Sequence, residues 1–205
     1  APINVAIPSG NFGNAYSAWF GRNHGLKINE ILCSTNVNDV LRRFIDGGVL
    51  EPFVTQPSVA PSMDIQIPSS LERLIFDLSS DAKSFYGQLQ TNSKAQLDEK
   101  SINGLQTVFS SFSFSDESIT TLIQSLHDEF ALVFDPHSVT SIQMALDNDS
   151  SLPTVAVATA SPEKFGNVIA PLINGFTESK IEEKEEYLTL STENAEIIEA
   201  ILAFI

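Results

Sequence analysis

The chain has 205 residues, 42% of them hydrophobic, and a formal net charge of −15 from 26 acidic and 11 basic residues. This length suits one domain or slightly more, with enough apolar side chains for a core. The negative charge disfavours binding to nucleic acid or to an anionic membrane, and no apolar run is long enough to span a bilayer. The one cysteine, Cys33, excludes a disulfide framework and a cysteine metal cluster, and favours a reducing compartment such as the cytoplasm.

The first third of the chain alternates between strand and helix patterns. The apolar run 3–7 is rich in β-branched residues and predicts a strand, and 15–25 has helical spacing that ends at a glycine. Residues 27–34 predict a second strand, and 36–48 predict a helix with Asn36 as N-cap. Short loops between such elements predict an α/β fold with a parallel sheet covered by helices.

The middle third is less regular. Residues 51–68 contain four prolines and predict an irregular connection, after which an apolar stripe predicts a helix beginning at Ser69 or Ser70. Residues 91–113 are polar and fit no one pattern, whereas 115–130 predict a helix.

The last third returns to alternation. We predict a helix over 135–148, the clearest buried strand of the chain over 153–160, and a helix over 161–175. The acidic block 178–186 is typical of a solvated segment, and 191–205 predict a terminal helix.

One polar turn, "PSGNFGN" at 8–14, stands between the first predicted strand and the first predicted helix. Gly10 and Gly13 allow a ligand to approach the backbone, and the helix start supplies free N–H groups and a partial positive charge. Such a turn can hold a phosphate. It matches neither the P-loop nor the G-x-G-x-x-G fingerprint, so an ordinary strand-to-helix turn is the alternative.

The loop 8–14 resembles the loop that holds the cofactor phosphate in threonine synthases, and further similar stretches follow in the same order. They are "STNVNDVLRRF" (34–44), "PSVAPSMDIQIPSSLERLIFDL" (57–78), "DPHSVTS" (135–141) and "VATASPEKF" (157–165). The resemblance implies the fold type II arrangement of pyridoxal-phosphate enzymes, a tryptophan synthase β-like parallel, doubly wound sheet. It also implies a lyase of threonine biosynthesis, which converts O-phospho-L-homoserine and water to L-threonine and phosphate.

The resemblance assigns cofactor-binding roles to two parts of the chain. The cofactor phosphate would be held by Ser9, Gly10, Asn11, Phe12, Gly13 and Asn14, and Thr159 would face the pyridine nitrogen. Without the family, Thr159 reads as an ordinary β-branched strand residue.

Arg43, with Asn36 and Asp39 nearby, could bind the phosphate of the substrate, since a guanidinium fork suits a phosphate dianion. The alternative is a helix surface on which Arg42 and Arg43 pair with Asp39 and Asp46. Both interpretations stay open at this point.

Asp64 and His137 also lie inside similar stretches and are candidates for substrate contact. The sequence Asp-Pro-His equally suits the start of a helix. No metal site is predicted, and Cys33 follows an apolar run, as a small core residue does.

The family needs a lysine that forms a Schiff base with the cofactor, and no lysine of this chain has a comparable context. We therefore expect the C-terminal portion of a threonine synthase, without a catalytic residue of its own and inactive alone. A missing N-terminal portion or a second chain would supply the lysine. The alternatives are a non-enzymatic module that binds phosphate or pyridoxal phosphate, and an unrelated nucleotide-binding domain.

Within this reading the chain divides into three kinds of segment. Residues 1–50 and 131–175 would form the cofactor-binding α/β core, 51–130 an irregular connection with helices, and 176–205 an acidic loop and terminal helix.

Overall fold

The computed structural model describes residues 1–79 and 81–177, and a parallel sheet lies at their centre. The strands of the described residues are β1 (Ile3–Pro8), β2 (Ile28–Thr35), β3 (Val49–Leu50), β4 (Ala95–Gln96), β5 (Phe109–Ser113) and β6 (Thr154–Ala156). Four of them form one parallel sheet in the order β5-β2-β1-β6, and β3 and β4 form a separate antiparallel pair. The parallel sheet confirms the predicted fold class.

The helices follow the strands in the alternation that the sequence predicts. Those of the described residues are α1 (Gly13–Asn23), α2 (Val40–Gly47), α3 (Leu71–Ser79), α4 (Ala82–Asn92), α5 (Glu99–Gln106), α6 (Asp116–Phe130), α7 (Pro136–Leu146) and α8 (Gly166–Ile169), with 3₁₀ turns at Pro61–Met63 and Pro162–Phe165. Gly48 ends α2 with a φ of 69°, a conformation that glycine adopts without steric cost.

Helices cover both faces of the sheet because successive strand side chains point to opposite sides. On one face, Ile7 and Cys33 pack into a core that includes Phe44 of α2. On the other face lies α7, whose Thr140 hydroxyl is hydrogen-bonded to that of Ser34 at 2.7 Å. A second core, which contains Val139 and residues of α6 and α8, lies beyond α7. This two-sided arrangement is that of a doubly wound sheet.

The prediction of a long buried strand over 153–160 is wrong. The strand β6 is only three residues long and lies at the edge of the sheet beside β1, and Val155 is 47% exposed. Its apolar composition resembles that of a central strand, but a run of valines and alanines does not reveal whether a neighbouring strand pairs with it.

The middle of the chain is more ordered than the sequence indicates. The ambiguous stretch 91–113 contains β4, α5 and the sheet strand β5. The helical stretch after Ser70 is divided into α3 and α4, because the side chain of Asp81 accepts a hydrogen bond from the N–H of Ser84 and starts a new helix. Residues 51–68 are irregular apart from one 3₁₀ turn, as predicted.

The remaining predictions of local structure have mixed outcomes. Asn36 does not cap α2, which begins at Val40 with Asp39 as N-cap. The predicted helix 161–175 is reduced to a 3₁₀ turn and the short α8, whereas the helices predicted over 115–130 and 135–148 are confirmed as α6 and α7. The acidic block 178–186 and the terminal helix 191–205 lie outside the described residues.

The described residues contain neither a helix that could span a membrane nor a cluster of metal-ligating side chains. None of the helices in these ranges combines the length and apolar character that crossing a membrane requires. No group of three or more metal-ligating side chains occurs among the described residues.

We predict that Cys33 is inert in the folded protein. It is fully buried, and burial raises the pKa of its thiol to about 12, although a hydrogen bond with Ser9 acts in the opposite direction. Because only the thiolate reacts, a disulfide reagent at pH 8 should label the native chain on the order of a thousandfold more slowly than an unfolded one with a thiol pKa of about 8.5. Labelling with and without concentrated urea measures this ratio, and rapid labelling of the native chain would contradict the burial.

Candidate functional site

A pocket of about 320 Å³ lies at the edge of the sheet where β1 and β6 end. Its lining residues come from four parts of the chain, namely the end of β1 with the loop after it, the turn at Pro61–Met63, the start of α7, and the segment after β6. They are Pro8, Gly10, Asn11, Phe12, Gly13, Asn14, Ser62, Met63, His137, Thr159 and Ala160. In an open parallel sheet, the carboxyl ends of the strands are where ligands bind.

The start of α1 turns unused backbone donors toward this pocket. The first bond of the helix runs from the N–H of Tyr16 to the carbonyl of Phe12, so the N–H groups of Gly13, Asn14 and Ala15 have no acceptor within the helix. Phe12, the N-cap residue, makes no capping hydrogen bond through its side chain. These N–H groups, together with the positive end of the helix dipole, form a site suited to an anion.

Phe12 fixes the shape of the loop. Its backbone is left-handed, with a φ of 69°, which is rare for a residue with a side chain. Its ring is only 2% exposed and packs against Phe109 of β5, with ring centroids 5.6 Å apart. The buried ring therefore holds the backbone in a conformation that the chain would not otherwise favour.

Gly10 allows the loop to approach the 3₁₀ turn at Pro61–Met63. A Cβ atom at Gly10 would lie 2.9 Å from the carbonyl oxygen of Ser62 and 3.3 Å from the Cα of Met63, which is too close to backbone atoms. Only a glycine fits this contact without displacement of the turn. The two walls of the pocket are thus in direct contact at one end.

The polar side chains of the loop have different roles. The Ser9 hydroxyl is buried and donates to the carbonyl of Ile7, so Ser9 does not line the pocket. The side-chain oxygen of Asn11 accepts hydrogen bonds from the N–H and hydroxyl of Ser69, which ties the loop to the start of α3. Asn14 lines the pocket and is exposed, so its amide is available to a ligand.

Thr159 lines the same pocket as the loop. It lies three residues beyond the end of β6, and its side chain is exposed. Its N–H donates to the hydroxyl of Ser138 at 2.9 Å, which fixes the backbone at this position. The structure therefore brings Thr159 into the same pocket as loop residues 10–14.

His137 lines the pocket, and both of its ring nitrogens are engaged. Its Nδ1 lies 2.9 Å from Oδ1 of Asp135, and its Nε2 accepts a hydrogen bond from the N–H of Ser62 at 3.0 Å. A carboxylate can only accept and a backbone N–H can only donate. The bonds therefore define a neutral imidazole with its proton on Nδ1, a ring that orients its neighbours.

Asp135 lies behind the pocket and is completely buried. Burial alone would raise its pKa, but the hydrogen bonds from His137 and Ser138 hold the pKa of this carboxyl below its usual value. The carboxylate also caps α7 by accepting from the N–H groups of His137 and Ser138. Nothing in the sequence pattern distinguishes Asp135 from an ordinary N-cap, so its place in the site cannot be predicted from the sequence.

The other candidates for substrate contact do not line this pocket. Asp64 accepts hydrogen bonds from the side-chain amides of Asn36 and Asn38 at 2.7 and 2.9 Å and from the Ser58 hydroxyl. This cluster joins the segment before α2 to the irregular connection. Its polar atoms are used internally, and it stabilises the connection that carries Ser62.

Arg43 is likewise engaged within the protein. The structure shows the ion pairs of the helix-surface alternative, in which Asp39 contacts both Arg42 and Arg43 and Asp46 contacts Arg42. Arg43 also donates to the carbonyl of Glu51 and lies over the ring of Phe53, 4.0 Å from its centroid.

The pocket is suited to an anion although its lining is uncharged. Among the described residues, its lining contains backbone N–H groups, amides, hydroxyls and a neutral imidazole, and it contains no charged side chain. Neutral dipoles that are already oriented bind a phosphate without the desolvation of an arginine or lysine. The free N–H groups at the start of α1 are the donors that such a group would meet in the pocket.

Comparisons with known proteins agree on one family. The chain is 29% identical to the threonine synthase of Saccharomyces cerevisiae over 216 residues, covering 93% of this chain and 42% of that protein. It is 28% identical to the threonine synthase of Pseudomonas aeruginosa over 208 residues, covering 95% and 44%. The structure of a pyridoxal-phosphate-bound threonine synthase from Brucella melitensis superposes with a TM-score of 0.82 at 25% identity, covering 100% and 46%. No protein-family model matches the chain.

The parallel sheet flanked by helices is the fold of the fold type II pyridoxal-phosphate enzymes. Within that class, the chain is similar to the C-terminal portion of the threonine synthases, which confirms the resemblance found in the sequence. It spans less than half the length of the curated relatives that it matches.

We predict that Gly10→Ala disrupts the contact between the loop and the turn at Pro61–Met63. The added Cβ would overlap the Ser62 carbonyl, so the free energy of unfolding should fall by about 1–3 kcal/mol. Urea titration measures this change.

The matched control for this substitution is Gly87→Ala. Gly87 lies inside α4 with open space around it, so alanine there should be neutral or stabilise the helix by up to about 1 kcal/mol. Equal stability of the two variants would contradict the close approach at Gly10.

Proposed function

We propose that the chain is the part of a threonine synthase that binds the phosphate and the ring nitrogen of pyridoxal phosphate. The complete enzyme would convert O-phospho-L-homoserine and water to L-threonine and phosphate. The observation that carries the proposal is the pocket that is lined both by the start of α1, with its free N–H groups, and by Thr159. In this proposal, residues 1–50 and 131–175 form the cofactor-binding core, and Ser62 completes one wall.

The residues present fit this cofactor. The N–H groups of Gly13 and Asn14 and the exposed amide of Asn14 would hold the phosphate, and Gly10 allows the loop to pack against the turn at Pro61–Met63. The Thr159 hydroxyl would contact the pyridine nitrogen, and a neutral partner there leaves the ring less electron-withdrawing than a carboxylate would. When bound, pyridoxal phosphate supplies an electron sink for the reacting substrate.

We further propose that the chain does not catalyse the reaction by itself. Of the lysines in the described part of the chain, none lines the pocket, and the nucleophile of this chemistry is a lysine. That lysine would come from a portion of the enzyme outside these 205 residues, either in the same polypeptide or in a second chain. A reducing location such as the cytoplasm suits a chain whose only cysteine is a buried free thiol.

Calorimetric titration tests the binding part of the proposal. We expect pyridoxal phosphate to bind more tightly than pyridoxal or inorganic phosphate, because only the complete ligand reaches both ends of the pocket. Gly10→Ala should abolish most of this preference, whereas Gly87→Ala should retain it. Tighter binding of AMP than of pyridoxal phosphate would favour a nucleotide-binding domain instead.

A second measurement tests the absence of catalysis. The chain alone should release no phosphate from O-phospho-L-homoserine above the rate of a blank. Borohydride reduction in the presence of pyridoxal phosphate, followed by peptide mapping, should find no specifically labelled lysine. A label on one lysine of this chain, accompanied by turnover, would refute the proposal that the nucleophile is supplied from elsewhere.

A further inference from the structure

Two walls of the pocket depend on hydrogen bonds that lead back to one buried carboxylate. On one side, Asp135 holds the His137 ring through Nδ1, and the Nε2 of that ring accepts the N–H of Ser62. On the other side, the Ser138 hydroxyl donates to Oδ2 of Asp135 and accepts the N–H of Thr159. The two branches use different oxygens of the same side chain and end on two different residues of the pocket lining, Ser62 and Thr159.

From this geometry we infer that Asp135 is the positioning residue of the pocket, which sets the places of both Ser62 and Thr159. The inference rests on the proposed function for the roles of these two residues. In that proposal, Thr159 would contact the cofactor ring and Ser62 would lie near the cofactor phosphate. Asp135 itself does not line the pocket and acts through His137 and Ser138.

The arrangement is more than a helix cap. A capping side chain needs one oxygen to accept the N–H groups of the first turn, and here Oδ1 accepts from the N–H groups of His137 and Ser138. The imidazole bond to Oδ1 and the hydroxyl bond to Oδ2 are additional. A serine could cap α7 equally well, but its single oxygen could not hold both branches.

The difference between a cap and a positioning residue defines the test. Asp135→Ser should keep the capping bonds at the start of α7 and lose the bonds to the His137 ring and the Ser138 hydroxyl that begin the two branches. Asp98→Ser is its matched control, because Asp98 caps α5 through the N–H of Ser101 and does not line the pocket. Ser138→Ala should cut only the branch that ends on Thr159.

Amide hydrogen exchange in the full 205-residue chain without ligand reports on both branches. In Asp135→Ser, the N–H groups of Ser62 and Thr159 should exchange about tenfold faster than in the parent chain, because each loses the support of its acceptor. The N–H of Ile31, bonded to the Val108 carbonyl in the sheet, should be unchanged. Ser138→Ala should accelerate exchange at the N–H of Thr159 but not at that of Ser62. Asp98→Ser should accelerate exchange at neither position.

Nitrogen NMR of the imidazoles gives an independent signature, since the chain has only three histidines. His137 should show the neutral form protonated on Nδ1 in the parent chain and in Asp98→Ser, and should lose it in Asp135→Ser. If exchange at Ser62 and Thr159 and the His137 spectrum are all unchanged in Asp135→Ser, Asp135 is only a cap and the inference is refuted.

Calorimetry then separates this inference from the proposed function. If the parent chain binds pyridoxal phosphate, Asp135→Ser should weaken binding by about tenfold and Asp98→Ser should not, as expected for a lost positioning bond. Unchanged affinity in Asp135→Ser would contradict the inference. If the parent chain binds none, the proposed function fails, while the exchange and NMR results still decide whether Asp135 positions the walls.

Discussion

The parallel pairing of β1 with β6 is the constraint on which the pocket depends. Ala6 pairs with Ala156, so the two strands end at nearly the same level and their following segments leave from the same edge of the sheet. Because the strands run in the same direction, the loop 8–14 and Thr159 are brought together although they are distant in the sequence. An antiparallel β6 would place Thr159 at the opposite edge.

A negative charge lies close behind a pocket suited to an anion, and the structure limits the resulting repulsion. The Asp135 carboxylate is at the positive end of the α7 dipole and accepts hydrogen bonds from the backbone and side chains of His137 and Ser138. The neutral ring of His137, which lines the pocket, is hydrogen-bonded to this carboxylate. A buried carboxylate is costly unless its oxygens are satisfied, and here they are.

Much of the fold could be predicted from the sequence, because its main elements have clear periodicity. The first strand, the helix after it and α7 lie within a few residues of their predicted positions. The strand β5 could not be predicted because its sequence, "FSSFS", is too polar and short to distinguish from a loop. The short length of β6 could not be predicted because apolar composition does not specify whether a strand is central or at an edge.

The candidate site was only partly predictable for a similar reason. A glycine-rich turn before a helix has a local signature, so loop residues 10–14 could be predicted to face a ligand. Long-range hydrogen bonds have no such signature. The contact of His137 with Ser62 joins residues 75 positions apart, and the resemblance that indicated His137 did not indicate this partner or Asp135.

The left-handed backbone at Phe12 bears on how the loop could bind. A residue with a side chain in this conformation costs roughly 1–3 kcal/mol, and glycine would avoid that cost. Burial of the phenylalanine ring stabilises the folded protein by about 1.5–3 kcal/mol, so the two effects nearly cancel. A glycine would permit the same turn but would also permit others. Because the Phe12 ring is packed against Phe109, the N–H groups at the start of α1 are held in place before any ligand arrives. A phosphate would then bind without the entropic cost of ordering the loop.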